Sequence, residues 1–473
     1  MKRSQILLLL IIILALFFRT YQMVERMGFG HDADLFSWIV KDILVNGHPR
    51  LIGQLTSAPG IYIGPLFYYL LAPFFLLTKM DPVGANLPAI LLGLLTTISY
   101  YFVFSKIFNE KVGLLGALLY GVLPATVNFD RWIVPTITTS LWSIWYFYAV
   151  IMISRGKFYF FWLMGVLIGL IWHIHIALIP VLVTFPFAIL VSKKLPGLKN
   201  TVLFLALLFA TSLPLIIFEF KHNFSQTFSL INNFGLQQEG GPTGLYRFQL
   251  ILSMLTGSSL LTATFLLAGL LLVKKKIMAL KEMALLYIWI AAAVLFFYFS
   301  SSPISEYYFS NTRVVFLAIA SLLIFALYKF FKKGLVILII LSLILINSFS
   351  SLINQNYYAK GYQEKKAVVN YIIADAKDKN FPCFSINYIT APGENVGFRY
   401  FFFLKNAHIA VPGRGSPVYN IVIPDEYALN EVKVKFGHIG IIPPRETPAK
   451  DLMLDACSGQ NTNLTDPMFG YVQ

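Results

Sequence analysis

The feature that most constrains this chain is a series of apolar segments along its first 350 residues or so. Each is close to the roughly 17–25 residues that cross a bilayer core as a helix. The chain is 57% hydrophobic and only 12% charged, whereas an average soluble domain is about 25% charged. These properties indicate an α-helical polytopic membrane protein. The segments are 5–20, 61–78, 84–104, 112–128, 133–154, 158–174, 176–192, 201–218, 249–273, 283–300, 314–331 and 335–352.

Two segments need interpretation before the spans are counted. Residues 1–20, MKRSQILLLLIIILALFFRT, start like a signal sequence, but no small-residue cleavage site follows, so we expect an uncleaved first span. Residues 61–78 are rich in aromatic residues and contain Pro65 and Pro73. If this segment does not cross, the basic clusters fall on one side of the membrane, as the positive-inside rule requires. The clusters are Lys2 and Arg3; Lys106 and Lys111; Arg155 and Lys157; Lys193, Lys194 and Lys199; Lys274 to Lys276; and Lys329, Lys332 and Lys333.

The charge pattern therefore predicts about eleven spans in residues 1–352, with interfacial helices in a large first outer loop at about 20–83. Residues 353–473 follow the last span on the outer face. Strand-like runs, CFSINYIT and YNIVI, and a predicted helix near 363–377 indicate a small α/β outer domain there. Its two cysteines, Cys383 and Cys457, would be able to pair in an oxidising compartment, but the sequence leaves this open.

Few charges lie within the spans, which argues against an ion-coupled transporter. Polar residues gather instead in the predicted outer loops. Asp32 and Asp34, in FGHDADLFSW, are either solvated loop acids, a weak DxD chelator of a divalent cation, or catalytic carboxylates. Asp130 and Arg131, in NFDRWIVP, are either a local ion pair or a second acid beside a phosphate-binding cation.

Further candidates follow later outer turns. His175, Glu219 and Tyr307 are either interfacial anchors or groups that orient a substrate, and Arg247 and Arg313 are additional candidates for binding phosphate. The formal net charge of +15 is explained by the inner basic loops and does not require a nucleic-acid partner.

Several motifs together resemble the GT-C superfamily of membrane glycosyltransferases, in particular the protein O-mannosyltransferase and aminoarabinose transferase group. The motifs, in order, are GHDADLFSWIV, IGPLFYYLLAPFF, FSKIFNEKVGLLGALLYGVLP, NFDRWIVPT, HIHIALIP and LPLIIFEFKHNF. The resemblance implies a large first outer loop and inverting transfer of a sugar from a polyprenyl-phosphate donor. By position it implies that Asp32 is the base, although many relatives have Asp-Glu where this chain has Asp32-Ala33, with Asp34 one residue later.

We therefore expect a glycosyltransferase that moves a hexose or pentose to an acceptor hydroxyl on a protein, lipid or glycan, outside the plasma membrane. The expected alternatives are a lipid-linked polysaccharide polymerase or ligase, or a flippase for a lipid-linked glycan. No cofactor is expected to be required, and a divalent cation is an open alternative. The site residues are expected to be the catalytic Asp32, Asp34 and Asp130; the phosphate-binding Arg131, Arg313 and Arg247; and the orienting His175, Glu219 and Tyr307.

Overall fold

The computed structural model describes residues 3–56, 58–233, 242–300, 304–331, 334–355, 359–413 and 415–464. Three lysines of the predicted inner clusters, Lys2, Lys332 and Lys333, lie outside these ranges. The chain divides into two compact units. One comprises residues 1–21, 50–67 and 87–354, and the other comprises residues 22–49, 68–86 and 355–473. Residues 22–49 and 68–86, in the predicted first outer loop, thus group with the C-terminal residues, which the sequence had not indicated.

Helices dominate the described chain. The α-helices are α1 (Arg3–Thr20), α2 (His31–Val45), α3 (Leu66–Leu77), α4 (Asn86–Ile107), α5 (Glu110–Val122), α6 (Pro124–Arg131), α7 (Thr139–Ser154), α8 (Phe161–Ile174), α9 (Thr184–Ser192), α10 (Leu198–Lys221), α11 (Ser225–Asn233), α12 (Gly244–Thr256), α13 (Ser259–Lys274), α14 (Leu280–Phe299), α15 (Arg313–Phe331), α16 (Gly334–Ile353), α17 (Tyr362–Asp378), α18 (Phe398–Leu404) and α19 (Lys450–Cys457). Short 3-10 helices occupy Pro82–Ala85, Pro135–Thr138, Phe158–Phe160, Ile176–Val183, Glu306–Thr312, Asp425–Ala428 and Thr462–Leu464.

Among the described residues, seven helices are long and apolar enough to cross a membrane, and the number is nine if each of two bent pairs forms one span. The bends are 58° between α5 and α6 and 69° between α12 and α13. Pro124 begins α6, where its missing N–H costs nothing, and Gly257 ends α12 at a φ of 89° that favours glycine.

The remaining predicted spans correspond to two shorter apolar helical stretches, Phe158–Ile174 and Ile176–Ser192. The total of about eleven requires both of them to cross, so that number stays a prediction. Helix α3 has 12 residues and is therefore about 18 Å long, against about 30 Å for the hydrocarbon core. This length supports the prediction that 61–78 does not cross.

Helix α7 lies in the interior of the first unit. Nearly all of its residues are buried, so it is apolar around its whole circumference rather than along one stripe. Trp142 stacks on Tyr146 with ring centroids 4.6 Å apart, and Tyr146 meets the edge of Trp289 at 5.1 Å. The indole of Trp289 donates a hydrogen bond of 2.9 Å to Asn311 Oδ1. This packing fixes the short helix Glu306–Thr312 against the helix core.

The second unit contains the predicted α/β region, which is confirmed. Its four-stranded sheet has the order β1-β2-β4-β3, with β1 parallel to β2 and the other pairs antiparallel. Its strands are β1 (Ser385–Thr390), β2 (Val418–Ile423), β3 (Val434–Phe436) and β4 (Ile439–Ile442). A disulfide joins Cys383 and Cys457, whose Cα atoms are 5.6 Å apart. Asp81 accepts hydrogen bonds from Tyr362 and Lys366, which tie residues 68–86 to α17.

Candidate functional site

Asp32 and Asp34 both lie in the first turn of α2, where the helix dipole favours negative charge. The two carboxylates have different surroundings. The Asp32 side chain is 42% exposed and lies 3.9 Å from His31, whereas Asp34 is only 5% exposed. The interaction with the neighbouring Asp32 carboxylate raises the pKa of His31, against the opposing effect of partial burial. Asp34 is therefore the acid that the fold removes from solvent.

Asp34 lines a cavity of about 590 Å³ within the second unit. Its wall combines aromatic rings with hydrogen-bonding groups, which is a common composition for small-molecule sites. The polar side chains in the wall are Asp34, Asn395, Arg399, Thr462 and Asn463. The aromatic rings in the wall are those of Trp38, Tyr388 and Phe402. The sequence favoured Asp32, but the described cavity is lined by Asp34.

Asp130 forms a buried ion pair with Arg19, which lies in the last turn of α1. The Nε and Nη2 atoms of Arg19 donate to Asp130 Oδ2 at 3.0 and 2.5 Å, and the hydroxyl of Tyr120 donates to Oδ1 at 2.7 Å. Arg19 Nη1 also donates to the carbonyl oxygens of Ala15 and Gly121. Both carboxylate oxygens of Asp130 thus accept hydrogen bonds from protein groups. This arrangement favours a structural role over the predicted role as a second catalytic acid.

Sequence reasoning missed Arg19. It is the basic residue at the far end of the first apolar segment, and it is 0% exposed. A charge buried at the end of a span requires a partner. The need for a partner was the signal in the sequence that would have marked Arg19 as important. It would not have identified Asp130, which lies 111 residues away in sequence.

Arg131 and Arg247 both donate to main-chain carbonyls near the ends of helices. Arg131 Nη2 donates to Tyr21 O at 3.0 Å, just after α1, and Arg247 Nε donates to Phe297 O at 3.0 Å, in the last turn of α14. Such carbonyls lack partners within the helix and carry partial negative charge, so a guanidinium stabilises them. These contacts favour helix capping by both arginines over the predicted phosphate binding.

Glu219 likewise stabilises the end of a helix. Its carboxylate accepts hydrogen bonds from the main-chain N–H groups of Gln226 and Thr227 at 3.2 and 3.1 Å, and from the Thr227 hydroxyl at 2.8 Å. These N–H groups lie in the first turn of α11, where they have no partner within the helix. The carboxylate therefore acts as a cap, which favours a structural role over substrate orientation.

Arg313, at the start of α15, lines a second cavity, of about 920 Å³, within the first unit. Its guanidinium carbon lies 4.8 Å from the centroid of the Phe129 ring, a cation–π arrangement. Its Nη1 atom is buried and has no hydrogen-bond partner among the described residues. Asp130 and Glu306 attract the charge of this guanidinium, but the buried Nη1 donor itself is unsatisfied, which is costly and favours a ligand that accepts a hydrogen bond. Arg313 therefore fits the predicted role in binding phosphate.

Tyr307 and His175 lie beside this cavity. Tyr307 lines it and packs against Trp132, with ring centroids 5.8 Å apart, and against His175 at 5.5 Å. His175 Nδ1 accepts a hydrogen bond from the N–H of Ala177 at 3.0 Å, so the ring is held by the start of the 3-10 helix Ile176–Val183. Of the residues predicted from sequence, the structure thus brings together His175, Tyr307 and Arg313.

The predicted residues fall into both units. Asp32 and Asp34 belong to the second unit, and all the others belong to the first. Within the described part of the chain, no group of three or more His, Cys, Asp or Glu residues is arranged to hold a metal ion.

The fold is similar to the folds of ArnT and an archaeal oligosaccharyltransferase, which are GT-C glycosyltransferases. The structure is similar to ArnT from Cupriavidus metallidurans bound to undecaprenyl phosphate, with a TM-score of 0.62 and 12% identity over 92% of this chain and 97% of that chain. It is also similar to the apo oligosaccharyltransferase of Archaeoglobus fulgidus, with a TM-score of 0.50 and 13% identity over 89% and 70% of the two chains.

A family model matches part of the sequence. Residues 59–218 match the family model described as dolichyl-phosphate-mannose-protein mannosyltransferase. No curated protein matches the chain. The predicted resemblance to GT-C enzymes is therefore confirmed, and the chain is a multi-pass membrane protein with an ArnT-like fold.

Proposed function

We propose that this chain is an inverting glycosyltransferase that transfers a hexosyl or pentosyl group from a polyprenyl-phosphate donor to an acceptor hydroxyl on the outer face of the plasma membrane. Two comparisons support the use of such a donor. The ArnT structure of similar fold contains undecaprenyl phosphate, and the matching family is named for dolichyl-phosphate-mannose. A lipid-linked donor also suits a protein whose helices are largely apolar, because the polyprenyl chain can remain in the bilayer.

The observation that carries the proposal is the environment of Arg313. This arginine combines a buried, unsatisfied Nη1 with a position on a cavity of about 920 Å³. Much of the cavity lining is apolar, including Leu261, Phe265 and Phe316. A guanidinium beside apolar surface suits a phosphate that carries a hydrocarbon chain. We assign to Arg313 the stabilisation of the charge that develops on the leaving phosphate.

On the acceptor side, we assign the general base to Asp34, because it is the acid of α2 that lines a cavity. The acceptor oxygen attacks the anomeric carbon while the bond from that carbon to the phosphate oxygen breaks. The hydroxyl proton passes to the carboxylate, and polyprenyl phosphate leaves. Attack from the face opposite the leaving group inverts the anomeric centre. Asp32, preferred from sequence, stays the alternative base, and no step requires a resident metal.

Two features support placing the reaction outside the membrane. The disulfide between Cys383 and Cys457 belongs to the class of cross-links that persist mainly in oxidising, extracytoplasmic compartments. The basic clusters, in turn, fit one cytoplasmic side when 61–78 does not cross, and in that arrangement α2 and the C-terminal residues would lie on the opposite side. A cysteine-labelling reagent that does not cross membranes should therefore modify an introduced Lys377→Cys in intact cells.

The donor assignment is tested with purified protein and a panel of polyprenyl-phosphate sugars, with product detected by mass spectrometry. Arg313→Met should reduce transfer by about 100-fold, as expected for loss of a transition-state charge contact. Arg445→Met, which changes an exposed arginine, is the matched control and should keep wild-type activity. Equal activity in the two variants would remove Arg313 from the donor site.

The base assignment is tested by Asp34→Asn and Asp32→Asn, with Asp378→Asn on the exposed end of α17 as the control. Loss of general-base catalysis lowers the rate by about 10²–10⁴-fold. We expect this loss in Asp34→Asn and a smaller effect in Asp32→Asn. The opposite order would return the role to Asp32. The anomeric configuration of the product, determined by NMR, tests inversion independently.

A further inference from the structure

Lys365 is a buried lysine that the proposed chemistry does not use. It lies in the first turn of α17 and is 4% exposed, although lysine is among the residues least often buried. Its ammonium donates hydrogen bonds of 2.7 Å to the carbonyl oxygen of Phe29 and of 2.7 Å to that of Val396. It also lies 5.2 Å from the centroid of the Phe398 ring. A charge buried at this cost indicates a specific role.

The two carbonyl groups belong to segments that position Asp34. Phe29 comes directly before Gly30, and the carbonyl oxygen of Gly30 accepts the hydrogen bond of the Asp34 N–H at 3.0 Å. Val396 lines the same cavity as Asp34. The next residue, Gly397, has a φ of 92°, and a Cβ there would come within 2.8 Å of the Phe29 ring. The Lys365 ammonium therefore connects the residue before α2 with the wall of the cavity, at a point where Gly397 and Phe29 pack closely together.

The charged groups around Lys365 act in both directions. Burial lowers the pKa of Lys365 to about 8, and repulsion from Lys360 acts in the same direction. Attraction by Asp34 and Glu394 raises the pKa and opposes these effects. The attraction between Lys365 and Asp34 is reciprocal, so the ammonium favours the ionised form of the carboxylate. As the pH rises through about 8, the ammonium loses its proton, and its charge-assisted hydrogen bonds weaken.

We propose that Lys365 is a positioning residue for the catalytic acid: its ammonium fixes the start of α2 to the cavity wall and so holds Asp34 in place beside the cavity. This inference rests on the proposed function through the assignment of Asp34 as the base. It assigns to α17 a part in holding Asp34 in position, through a residue that does not line the cavity.

The test is the pH profile of kcat for the full-length wild type, Lys365→Met and Lys365→Arg, with Lys377→Met on the exposed face of α17 as the control. In the wild type, kcat should decline between pH 7 and 9 as Lys365 loses its proton. Lys365→Met should have a kcat at least about tenfold lower, which matches the loss of charged hydrogen bonds. Its acidic limb should move to higher pH, because the carboxylate loses a neighbouring positive charge. Lys365→Arg should regain activity and lack the decline near pH 8.

Three results would overturn the proposal. The first is a wild-type kcat that stays constant from pH 7 to 9, whatever the variants do. The second is Lys365→Met with the wild-type kcat and acidic limb. The third is a decline near pH 8 that persists in Lys365→Arg. Thermal melts of each variant separate misfolding from a loss of positioning. Failure of the proposed function has a different signature, since the wild type would then transfer no sugar from any donor in the panel.

Discussion

The buried pair of Arg19 and Asp130 allows the strongest prediction about stability. Replacing Asp130 with Leu removes the acceptor of two hydrogen bonds from Arg19 and one from Tyr120. It leaves the Arg19 guanidinium charged at 0% exposure. Breaking a buried pair in this way costs about 3–5 kcal/mol, because the remaining charge is uncompensated. For a chain of 473 residues we expect the midpoint of thermal unfolding to fall by roughly 3–5 °C.

The double variant Arg19→Met/Asp130→Leu removes both charges and should recover most of the lost stability, since apolar residues of similar volume often replace a buried pair at little cost. The assay is a thermal melt in detergent, followed by sugar transfer by the same samples. A single variant Asp130→Leu that melts like the wild type would refute the stability argument. A double variant that is stable but inactive would restore Asp130 to the catalytic role predicted from its sequence.

Three further predictions concern packing, the disulfide and metal dependence. Gly93→Ala should lower the melting midpoint by the equivalent of about 1–3 kcal/mol, because a Cβ there would collide with the Arg19 side chain and come within 2.9 Å of Asp130 Oδ2; an unchanged midpoint would contradict this packing. Cys383→Ser should destabilise the chain by up to about 4 kcal/mol, since the disulfide spans 74 residues, and reductant should bring the wild type to the same midpoint. Transfer should continue in excess EDTA, and a loss that added Mg²⁺ or Mn²⁺ restores would establish a cation requirement.

Local patterns in the sequence predicted most of the secondary structure, but not the bends within 112–128 and 249–273. The apolar segments correspond to helices because a chain in lipid satisfies its main-chain hydrogen bonds within each segment. The strand-like runs CFSINYIT and YNIVI became β1 and β2, since alternating and β-branched residues fit a half-buried sheet. The charge argument about 61–78 used only the positions of lysines and arginines, and it agrees with an α3 of only 12 residues.

The roles of single polar residues were harder to predict, because each depends on a partner distant in sequence. Asp130 pairs with Arg19 across 111 residues, although Arg131 lies next to it in the chain. Glu219 caps the helix that follows it, α11. A local sequence pattern can indicate such a cap, but the resemblance of this segment to a functional motif favoured a role in substrate orientation. Arg313 stood out only when its cavity and its buried Nη1 were known.

The sequence by itself determined that this chain is a membrane protein with an α/β C-terminal region, because hydrophobicity, periodicity and topogenic charge are local properties. It also predicted that the acids of FGHDADLFSW lie in the first loop after the first span. Only the tertiary structure separated them, by exposing Asp32, burying Asp34 in a cavity wall and placing the Lys365 ammonium where its charge acts on Asp34. Burial and long-range charge contacts arise when distant segments pack together, and no short stretch of sequence contains that information.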